Sequence, residues 1–220
     1  MMKKSTPVQY LIRGLIYCAG LLILAFGVTF AVNSNLGVSP VTSVPYVISL
    51  LANISLGTCT TLVYCFYILL QIPLQGGKFP PALVLEIVFS TVFGWFVDGV
   101  KLILGDFCLP TYFGQLGMLA ISIVLIALGL VLYIDVKLVP MPAEGLVTCM
   151  ADKFRKPMST VKTLFDCGSV VVSSSLGLLF LGKLMGVREG TVITALLVGK
   201  LVGLFSKRLA PMLNRVCFGE

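Results

Sequence analysis

Four polar side chains on one face of a long apolar segment are the strongest candidates for chemistry in this sequence. Lys162, Asp166, Ser169 and Ser173 follow one another at spacings of four, three and four residues, which places them on one face of a helix. Ionisable side chains inside such a segment are costly, so they face the protein interior or water and mark a candidate site. Two interpretations remain: the Lys162–Asp166 pair only stabilises helix packing, or Asp166 carries a coupling proton and Lys162 tunes its pKa.

Further polar candidates surround two proline-containing breaks and the segments that follow them. Glu144 comes just after Pro142, where it would either face a substrate or complete the favourable charge at a helix N-terminus. The backbone amides after Pro40 would bind an anionic group if that segment points into the protein. The complete set of predicted substrate-binding residues is Asn35, Ser39, Thr42, Ser43, Thr61, Tyr64, Glu144, Thr163, Asp166 and Ser169.

The composition shows what kind of structure must position these residues. The chain has 220 residues, of which 58% are hydrophobic and 11% are charged, whereas soluble domains have roughly 25% charged residues. No water-soluble fold hides that much apolar surface, so we expect a single membrane domain over residues 1–220. The net charge of +7 comes from scattered residues at the ends of apolar segments, which argues against a nucleic-acid partner.

Six apolar stretches are long enough to cross a membrane, which takes roughly 20 helical residues. The predicted spans are 10–32, 57–75, 82–104, 112–134, 159–181 and 189–207. Only helices satisfy their own backbone groups in lipid, and the short alternating strands of a β-barrel are not seen. The predicted fold class is therefore an all-α polytopic membrane protein.

The distribution of Lys and Arg predicts the orientation of the chain. With both termini in the cytoplasm, the cytoplasmic segments hold most of the basic residues: Lys3, Lys4, Arg13, Lys78, Lys137, Lys153, Arg155, Lys156, Lys162, Lys207, Arg208 and Arg215. The other side receives only Lys101, Lys183 and Arg188. The reverse orientation would put most of the basic residues on the wrong side.

Two longer connections each contain a proline break followed by an apolar run that is too short to span a bilayer. They read NSNLGVSPVTSVPYVISLLANISLG after the first span and DVKLVPMPAEGLVTCMADKFRKPM after the fourth. Two interpretations stay open: interfacial helices at the headgroup level, or re-entrant half-helices that line a cavity, where irregular backbone is tolerated.

An internal repeat favours the re-entrant interpretation. Shifting the chain by 102 positions aligns Pro40 with Pro142, Thr61 with Thr163 and Cys65 with Cys167. The predicted repeats cover about residues 8–105 and 110–212. Because each half has three crossings, the second would be inverted relative to the first, as in many secondary transporters. The alternative is chance matching among apolar residues.

The seven cysteines are odd in number and form no CxxC motif, and the chain has no histidine. Most of them lie within or beside apolar segments, where we expect small packing residues rather than a disulfide framework. The sequence therefore predicts no metal site and no cofactor. It also predicts no enzymatic activity, since it shows no nucleophile paired with a base.

Several motifs resemble a known family. NLGVSPVTS, ISLGTCTTLVY and FVDGV in the first half, with TLFDCGSVVVSSSLG and GVREGTVITALLVGKLVG in the second, are similar to the bacterial YitT and YczE group of small uncharacterised membrane proteins. The resemblance covers nearly the whole chain and implies that Asp98 and Asp166 match positions where that group carries Asp. The segment LVPMPAEG departs from the Gly-rich sequence expected there. The resemblance implies a multi-pass protein of a bacterial cytoplasmic membrane.

The predicted function is a small-molecule membrane transporter, with a polar or anionic solute bound between two inverted repeats. The first alternative is a substrate-binding subunit of a multi-component uptake system, and the second is a membrane scaffold that transports nothing. The expected partners are a small-molecule solute, the lipid bilayer and a second copy of the chain in a homodimer.

Overall fold

The computed structural model describes residues 7–77 and 80–218. These residues form eight α-helices and no strand. The helices are α1 (Pro7–Asn33), α2 (Pro40–Ala52), α3 (Leu56–Leu74), α4 (Pro81–Leu104), α5 (Tyr112–Asp135), α6 (Pro142–Phe154), α7 (Met158–Leu181) and α8 (Glu189–Phe218). The all-α prediction is confirmed.

Six of the helices are long and apolar enough to span a membrane: α1, α3, α4, α5, α7 and α8. Their bounds differ from the predicted spans by at most three residues, except that α8 continues to Phe218 rather than ending near residue 207. The extension carries Lys207, Arg208 and Arg215, whose charges kept it out of the predicted apolar segment although they are compatible with a helix. The chain is a multi-pass membrane protein.

An even number of spans puts both ends of the described chain on one side of the membrane, called here the terminal side. The opposite side holds the connections α1–α2, α2–α3, α4–α5 and α7–α8. Which compartment lies on the terminal side stays a prediction. Lys3, Lys4 and Lys78, which contribute to that prediction, lie outside the described residues.

The two half-helices α2 and α6 have 13 residues each and begin with proline. Proline suits the first helical position because its fixed φ fits the helix and its missing N–H is not needed there. Both helices end at a residue in the left-handed conformation, Asn53 with φ 53° and Arg155 with φ 50°. At 13 residues, or about 20 Å, neither helix crosses a ~30 Å hydrocarbon layer.

Backbone conformation supports the internal repeat independently of residue identity. Among the described residues, four non-glycine residues have positive φ: Asn35, Asn53, Lys137 and Arg155. Asn35 pairs with Lys137 and Asn53 with Arg155, and in each pair the residue numbers differ by 102. Positive φ is uncommon outside glycine, so chance matching of apolar residues does not explain this agreement.

The packing of the helices follows the same two-fold relation. Exchanging the halves converts the α1–α4 contact into α5–α8, α2–α7 into α6–α3, and α2–α3 into α6–α7, and all of these pairs are in contact. The most extensive contact joins α1 to its own counterpart α5. There the backbones approach at Gly27 and at Gly129, where an added Cβ would lie 3.1 Å from the Ser122 carbonyl oxygen and 2.8 Å from that of Gly20.

Two side-chain bonds also correspond between the halves. Lys101 Nζ of α4 donates to Asn33 Oδ1 at the end of α1 over 2.7 Å, and Ser206 Oγ of α8 donates to Asp135 Oδ2 at the end of α5 over 2.9 Å. They lie at opposite sides of the membrane, as an inverted repeat requires. Lys101 also pairs with the exposed Asp106 at 2.8 Å, and this bond lowers the pKa of Asp106 below its usual range.

The connections before the half-helices run into the bundle. Arg13 donates to the carbonyl oxygens of Val136 and Lys137, and the Tyr17 hydroxyl donates to that of Val139. Tyr17 follows Arg13 by four residues, which is about 6 Å along α1. The α5–α6 connection, which bonds first to Arg13 and then to Tyr17, therefore runs along α1 into the bundle before α6 begins. In the other half, the carbonyl oxygen of Asn35 accepts from Arg188 and that of Leu36 from the Gly190 N–H. Both half-helices therefore turn back into the protein, as the re-entrant interpretation predicts.

Candidate functional site

A cavity of about 490 Å³ lies where the two half-helices meet. All eight helices contribute to its lining, and the first residues of α2 and α6 reach it from the two halves. This places the cavity at the junction of the repeats. Irregular backbone at this depth lines a cavity instead of facing lipid, which is the condition under which membranes tolerate it.

The charged wall of the cavity comes from α7. Lys162 Nζ and Asp166 Oδ1 form an ion pair at 2.8 Å, one helical turn apart, as predicted. Their side chains are 34% and 25% exposed, so the pair borders the open space of the cavity. An ion pair that is this accessible can exchange partners with a solute, whereas a fully buried pair would be fixed by the desolvation of its charges.

Glu144 lies in the first turn of α6 and also lines the cavity. It interacts electrostatically with Lys162 and Asp166, and the Tyr133 hydroxyl lies close enough to its carboxylate to interact with it. The carboxylate lies at the α6 N-terminus, where negative charge is favoured, and it borders the cavity. That it contacts a substrate stays a prediction.

A second carboxylate, that of Glu86 on α4, lies behind Glu144. It is 3% exposed, and its Oε2 accepts a hydrogen bond of 2.9 Å from the amide of Gln71 on α3. The same amide group donates to the carbonyl oxygen of Pro142 over 3.3 Å. A Cβ added to Gly145 would lie 3.0 to 3.1 Å from atoms of the Gln71 amide and the Glu86 carboxylate, so α6 passes close to both side chains.

The first half contributes uncharged groups to the cavity. The Ser39 and Thr42 hydroxyls at the start of α2 bond to each other at 2.8 Å. Tyr64 of α3 and Phe93 of α4 form an aromatic wall, with ring planes 11° apart and centroids 6.3 Å apart. By the 102-residue register, Thr42 corresponds to Glu144 and Tyr64 to Asp166. All formal charges of the cavity lining therefore come from the second repeat.

Seven of the residues predicted to bind solute or to couple transport line this cavity. They are Ser39, Thr42, Tyr64, Glu144, Lys162, Thr163 and Asp166. Residues from the polar face of α7 and from the proline-containing starts of α2 and α6 thus line the same cavity. That these residues bind a solute stays a prediction.

Four predicted residues lie elsewhere. Ser43 and Ser169 face each other across the α2–α7 interface, where the Ser43 hydroxyl is 3.5 Å from the Ser169 carbonyl oxygen. Thr61 donates to the Gly57 carbonyl oxygen at the contact of α3 with α4. Asn35 lies at the opposite side and donates to the Cys108 sulfur over 3.3 Å. None of these four residues lines the cavity between the half-helices.

Three polar lining residues escaped the sequence prediction: Tyr133, Ser159 and Thr194. Ser159 precedes Thr163 by one helical turn on the same face, a spacing that would have revealed it. Tyr133 and Thr194 lie in mostly apolar stretches, where a search for charged or multiple polar side chains on one face passes over them. Thr194 is 1% exposed and its hydroxyl has no hydrogen-bond partner among the described residues.

The two halves differ most in how their last two spans pack. On the opposite side, α3 and α4 are in tight contact, because a Cβ on Gly57 would collide with the carbonyl oxygen of Gly94. The Asp98 carboxylate closes this contact by accepting 2.7 Å bonds from the Gly57 N–H and the Ser55 hydroxyl. We call these bonds the Asp98 clamp.

The corresponding helices α7 and α8 make only marginal contact over the residues that the structure describes. Both line the cavity, which reaches the surface between them, beside the exposed Thr163, Ala195 and Gly199. Gly199 corresponds to Gly94, yet no atom lies within 4 Å of a Cβ added there. The cavity is thus open between α7 and α8, towards the terminal side, while the α3–α4 contact is closed.

Within the described ranges, no three His, Cys, Asp or Glu side chains are grouped so that they could hold a metal ion. The seven cysteines are all free; Cys59 and Cys217 are buried, whereas Cys167 is exposed. The side chains that line the cavity offer charged, hydroxyl and aromatic contacts to a bound molecule.

Comparison with known proteins places the chain in a family. Neither the curated proteins nor the solved structures gave a match. A family model, described as a family of unknown function, matches residues 11–207. The resemblance to the YitT and YczE group and the bacterial source stay predictions. The chain, a membrane-embedded helical protein, belongs to this family of unknown function, DUF6198.

Proposed function

We propose that the protein is a secondary transporter of a small polar solute, which binds in the cavity between the two repeats. The observation that carries the proposal is the position of this cavity: two half-helices of opposite repeats begin at it, and it holds the ion pair and Glu144. Discontinuous helices that meet at a repeat interface are the recurrent binding-site design of secondary transporters.

The unequal packing of the two halves supports an alternating-access mechanism. Inverted repeats of one sequence plan can adopt two arrangements that are exchanged between the halves. Here the α7–α8 pair is separated beside the cavity and the α3–α4 pair is closed by the Asp98 clamp. In the second state of the cycle, α7 would approach α8, and α3 would separate from α4.

The proposal includes the environment of the protein. It would reside in a bacterial cytoplasmic membrane with both termini in the cytoplasm, as the distribution of basic residues favours. The solute would enter the cavity from the cytoplasmic side in the arrangement described above. No enzymatic step is part of this function, and a homodimer is compatible with it.

Access to the cavity from both sides of the membrane tests the proposal. Val198 of α8 lines the cavity and takes no part in the polar contacts. A Val198→Cys variant, with the native cysteines replaced by serine or alanine, would be exposed to a membrane-impermeant maleimide in spheroplasts and in inverted membrane vesicles. A transporter visits both states, so we expect labelling from either side.

Leu196→Cys is the matched control because Leu196 lies on the same helix, is 63% exposed and does not line the cavity. In a bilayer it would face lipid and should react from neither side. Labelling of the cavity cysteine from one side only would contradict alternating access. That result would favour a binding subunit or a scaffold.

A further inference from the structure

We infer that the solute is an organic cation, an amine or quaternary ammonium with an apolar body, which exchanges with a proton at Glu144. This inference rests on the proposed function and narrows it. It departs from the anionic solute that the sequence left open. Four features of the cavity carry it: the balance of charge, the aromatic wall, an unpaired hydroxyl and the gap between α7 and α8.

Carboxylates outnumber cations around the cavity. Lys162 is the one cationic side chain among the described residues that line it, and Asp166 already pairs with this lysine at 2.8 Å. Glu144 remains without a full counter-charge, and the buried Glu86 lies near enough to interact with it. Glu144 is partly buried and borders the cavity, and a partly desolvated carboxylate is stabilised by a proton or a cation beside it.

The groups that face Glu144 come from five helices. They are Tyr17 of α1, Tyr64 of α3, Glu86 of α4, Tyr133 of α5, and Lys162 and Asp166 of α7. From α8, the cavity receives no charged side chain, and from α2 it receives none either. Lys137 lines a smaller cavity that also borders Glu144. Lys162 is therefore the cation that acts on Glu144 from the main cavity.

The helix ends do not reverse this balance. The N-termini of α2 and α6 carry roughly half a positive charge each. Glu144 lies in the first turn of α6, so its carboxylate already offsets the partial positive charge of that helix end. The α2 end supplies only a partial positive charge, which does not replace a counter-ion for the Glu144 carboxylate. A singly charged cation would neutralise it.

The apolar part of the lining fits the body of such a cation. Tyr64, Phe93 and Tyr133 border the cavity from three helices, next to the aliphatic residues of α1, α5 and α8. Aromatic faces attract ammonium groups, and they do so more strongly out of water. The cavity of about 490 Å³ is large enough for a drug-sized molecule.

The Thr194 hydroxyl points to a ligand independently of the charges. It borders the cavity, is almost fully buried, and has no hydrogen-bond partner among the described residues. A buried polar group without a partner is costly, and a bound molecule that supplies the partner recovers that cost. A hydroxyl oxygen can accept a bond from an amine N–H.

The gap between α7 and α8 gives a cation with an apolar body a route that a small hydrophilic solute lacks. Over the described residues, α7 and α8 make at most marginal contact, and the cavity opens between these two apolar helices. Cations with apolar groups concentrate at membrane interfaces, where they would reach the cavity sideways.

Exchange at Glu144 balances charge and atoms. In the unoccupied state the carboxyl group holds one proton. When the cation binds, the O–H bond breaks, the proton leaves to water, and the carboxylate keeps the electron pair as counter-ion of the bound cation. One positive charge replaces another, so the charge of the site does not change. Cation and proton exclude each other, which is the condition for coupled exchange.

Equilibrium binding of radiolabelled benzyltrimethylammonium to the purified full-length protein tests the inference. We expect saturable binding that competes with protons, so that affinity falls as the pH is lowered, by at most about tenfold per pH unit for one proton. Benzenesulfonate, an anion of similar size, should not compete. Preference for the sulfonate, or no saturable binding of the ammonium probe at any pH, would overturn the inference.

Substitutions locate the binding. Glu144→Gln should weaken binding at least about tenfold and remove its pH dependence, while Glu144→Asp, which keeps the charge, should retain both. Glu189→Gln is the matched control, because Glu189 pairs with Arg188 at the other end of α8 and lies outside the cavity. Unchanged binding in Glu144→Gln would place the cation elsewhere and refute the inference.

The labelling test of transport and the binding test of the cation site can fail independently of each other. Ammonium binding combined with one-sided maleimide labelling would contradict transport and keep the cation site. Two-sided labelling combined with binding of the sulfonate alone would keep transport and reject the cation.

Discussion

Removing the Asp98 carboxylate should release the contact between α3 and α4 on the opposite side. Its two oxygens accept bonds of 2.7 Å from the Gly57 N–H and the Ser55 hydroxyl, both at the start of α3. In Asp98→Ala neither bond remains, and the Gly57 N–H joins the unpaired amides that every helix start leaves. Asp98→Asn keeps one carbonyl oxygen and should have an intermediate effect.

The size of the effect follows from the two bonds. A hydrogen bond to a charged group contributes ~1.5–3 kcal/mol, and leaving a buried donor without a partner is costly. The Ser55 bond is exposed and the Gly57 bond is half-buried, so water replaces part of the loss. We expect the clamp to contribute about 2 kcal/mol, or roughly thirtyfold in the equilibrium between closed and separated helices.

Amide hydrogen exchange at residues 57–59, in the purified protein, measures this equilibrium directly. In Asp98→Ala these amides should exchange roughly thirtyfold faster, while the amides of α5 at the centre of the bundle keep their rates. Asp106→Asn is the control, because this carboxylate lies on the same side and bonds Lys101 instead. Wild-type exchange in Asp98→Ala, or equal acceleration in the control, would refute the clamp.

Three other results are expected. Gly94→Ala should lower thermal stability, because its Cβ would collide with the Thr61 hydroxyl, while Gly199→Ala at the corresponding position meets open space and should be neutral in the same melting experiment; equal losses would contradict the difference between the halves. Arg13→Gln should lower the free energy of unfolding by about 3 kcal/mol, since two charge-assisted bonds are lost, and unchanged denaturation would show that the connection before α6 holds without them. Because bonding to Lys101 lowers the pKa of Asp106, its contribution is present above the ordinary value of about 3.9 and is lost as the pH falls below it; the melting difference between wild type and Asp106→Asn should vanish there.

The helices were predictable because membrane spans depend on local length and composition alone. A run of roughly 20 apolar residues has no other stable state in lipid than a helix. The half-helices were predictable from Pro40 and Pro142, since proline is favoured where a helix begins. The repeat register was correct to the residue, as the positive φ of Asn35 and Lys137 demonstrates. These features depend on the chain itself and not on its neighbours.

The lining of the cavity was only partly predictable because a helical pattern gives the face that turns inward and not what that face meets. Asp166 and Ser169 share one face of α7, yet Asp166 borders the cavity and Ser169 packs against α2. The difference depends on where α2 begins, because Ser43 near its start lies against Ser169, and the position of α2 is a matter of tertiary packing. Thr194 shows the converse: nothing in its apolar surroundings distinguishes it from a packing residue, and only the position of α8 brings it to the cavity.

The inequality of the two halves bears on the energy source of the proposed cycle. If the halves exchanged arrangements with no difference in energy, either pair of spans would close equally well. The α3–α4 pair has the Asp98 clamp, whereas the alignment of Gly94 with Gly199 puts Gly203 at the position of Asp98, so α7–α8 lacks one. The separated α7–α8 state is therefore favoured without ligand.

The charges lie on the repeat that must move, on α6 and α7. Neutralising them with a cation or a proton removes the cost of burying them when α7 approaches α8, so closure becomes possible only for an occupied site. That dependence would prevent closure whenever Glu144 carries neither a proton nor a cation, and so would keep the carrier from leaking its gradient.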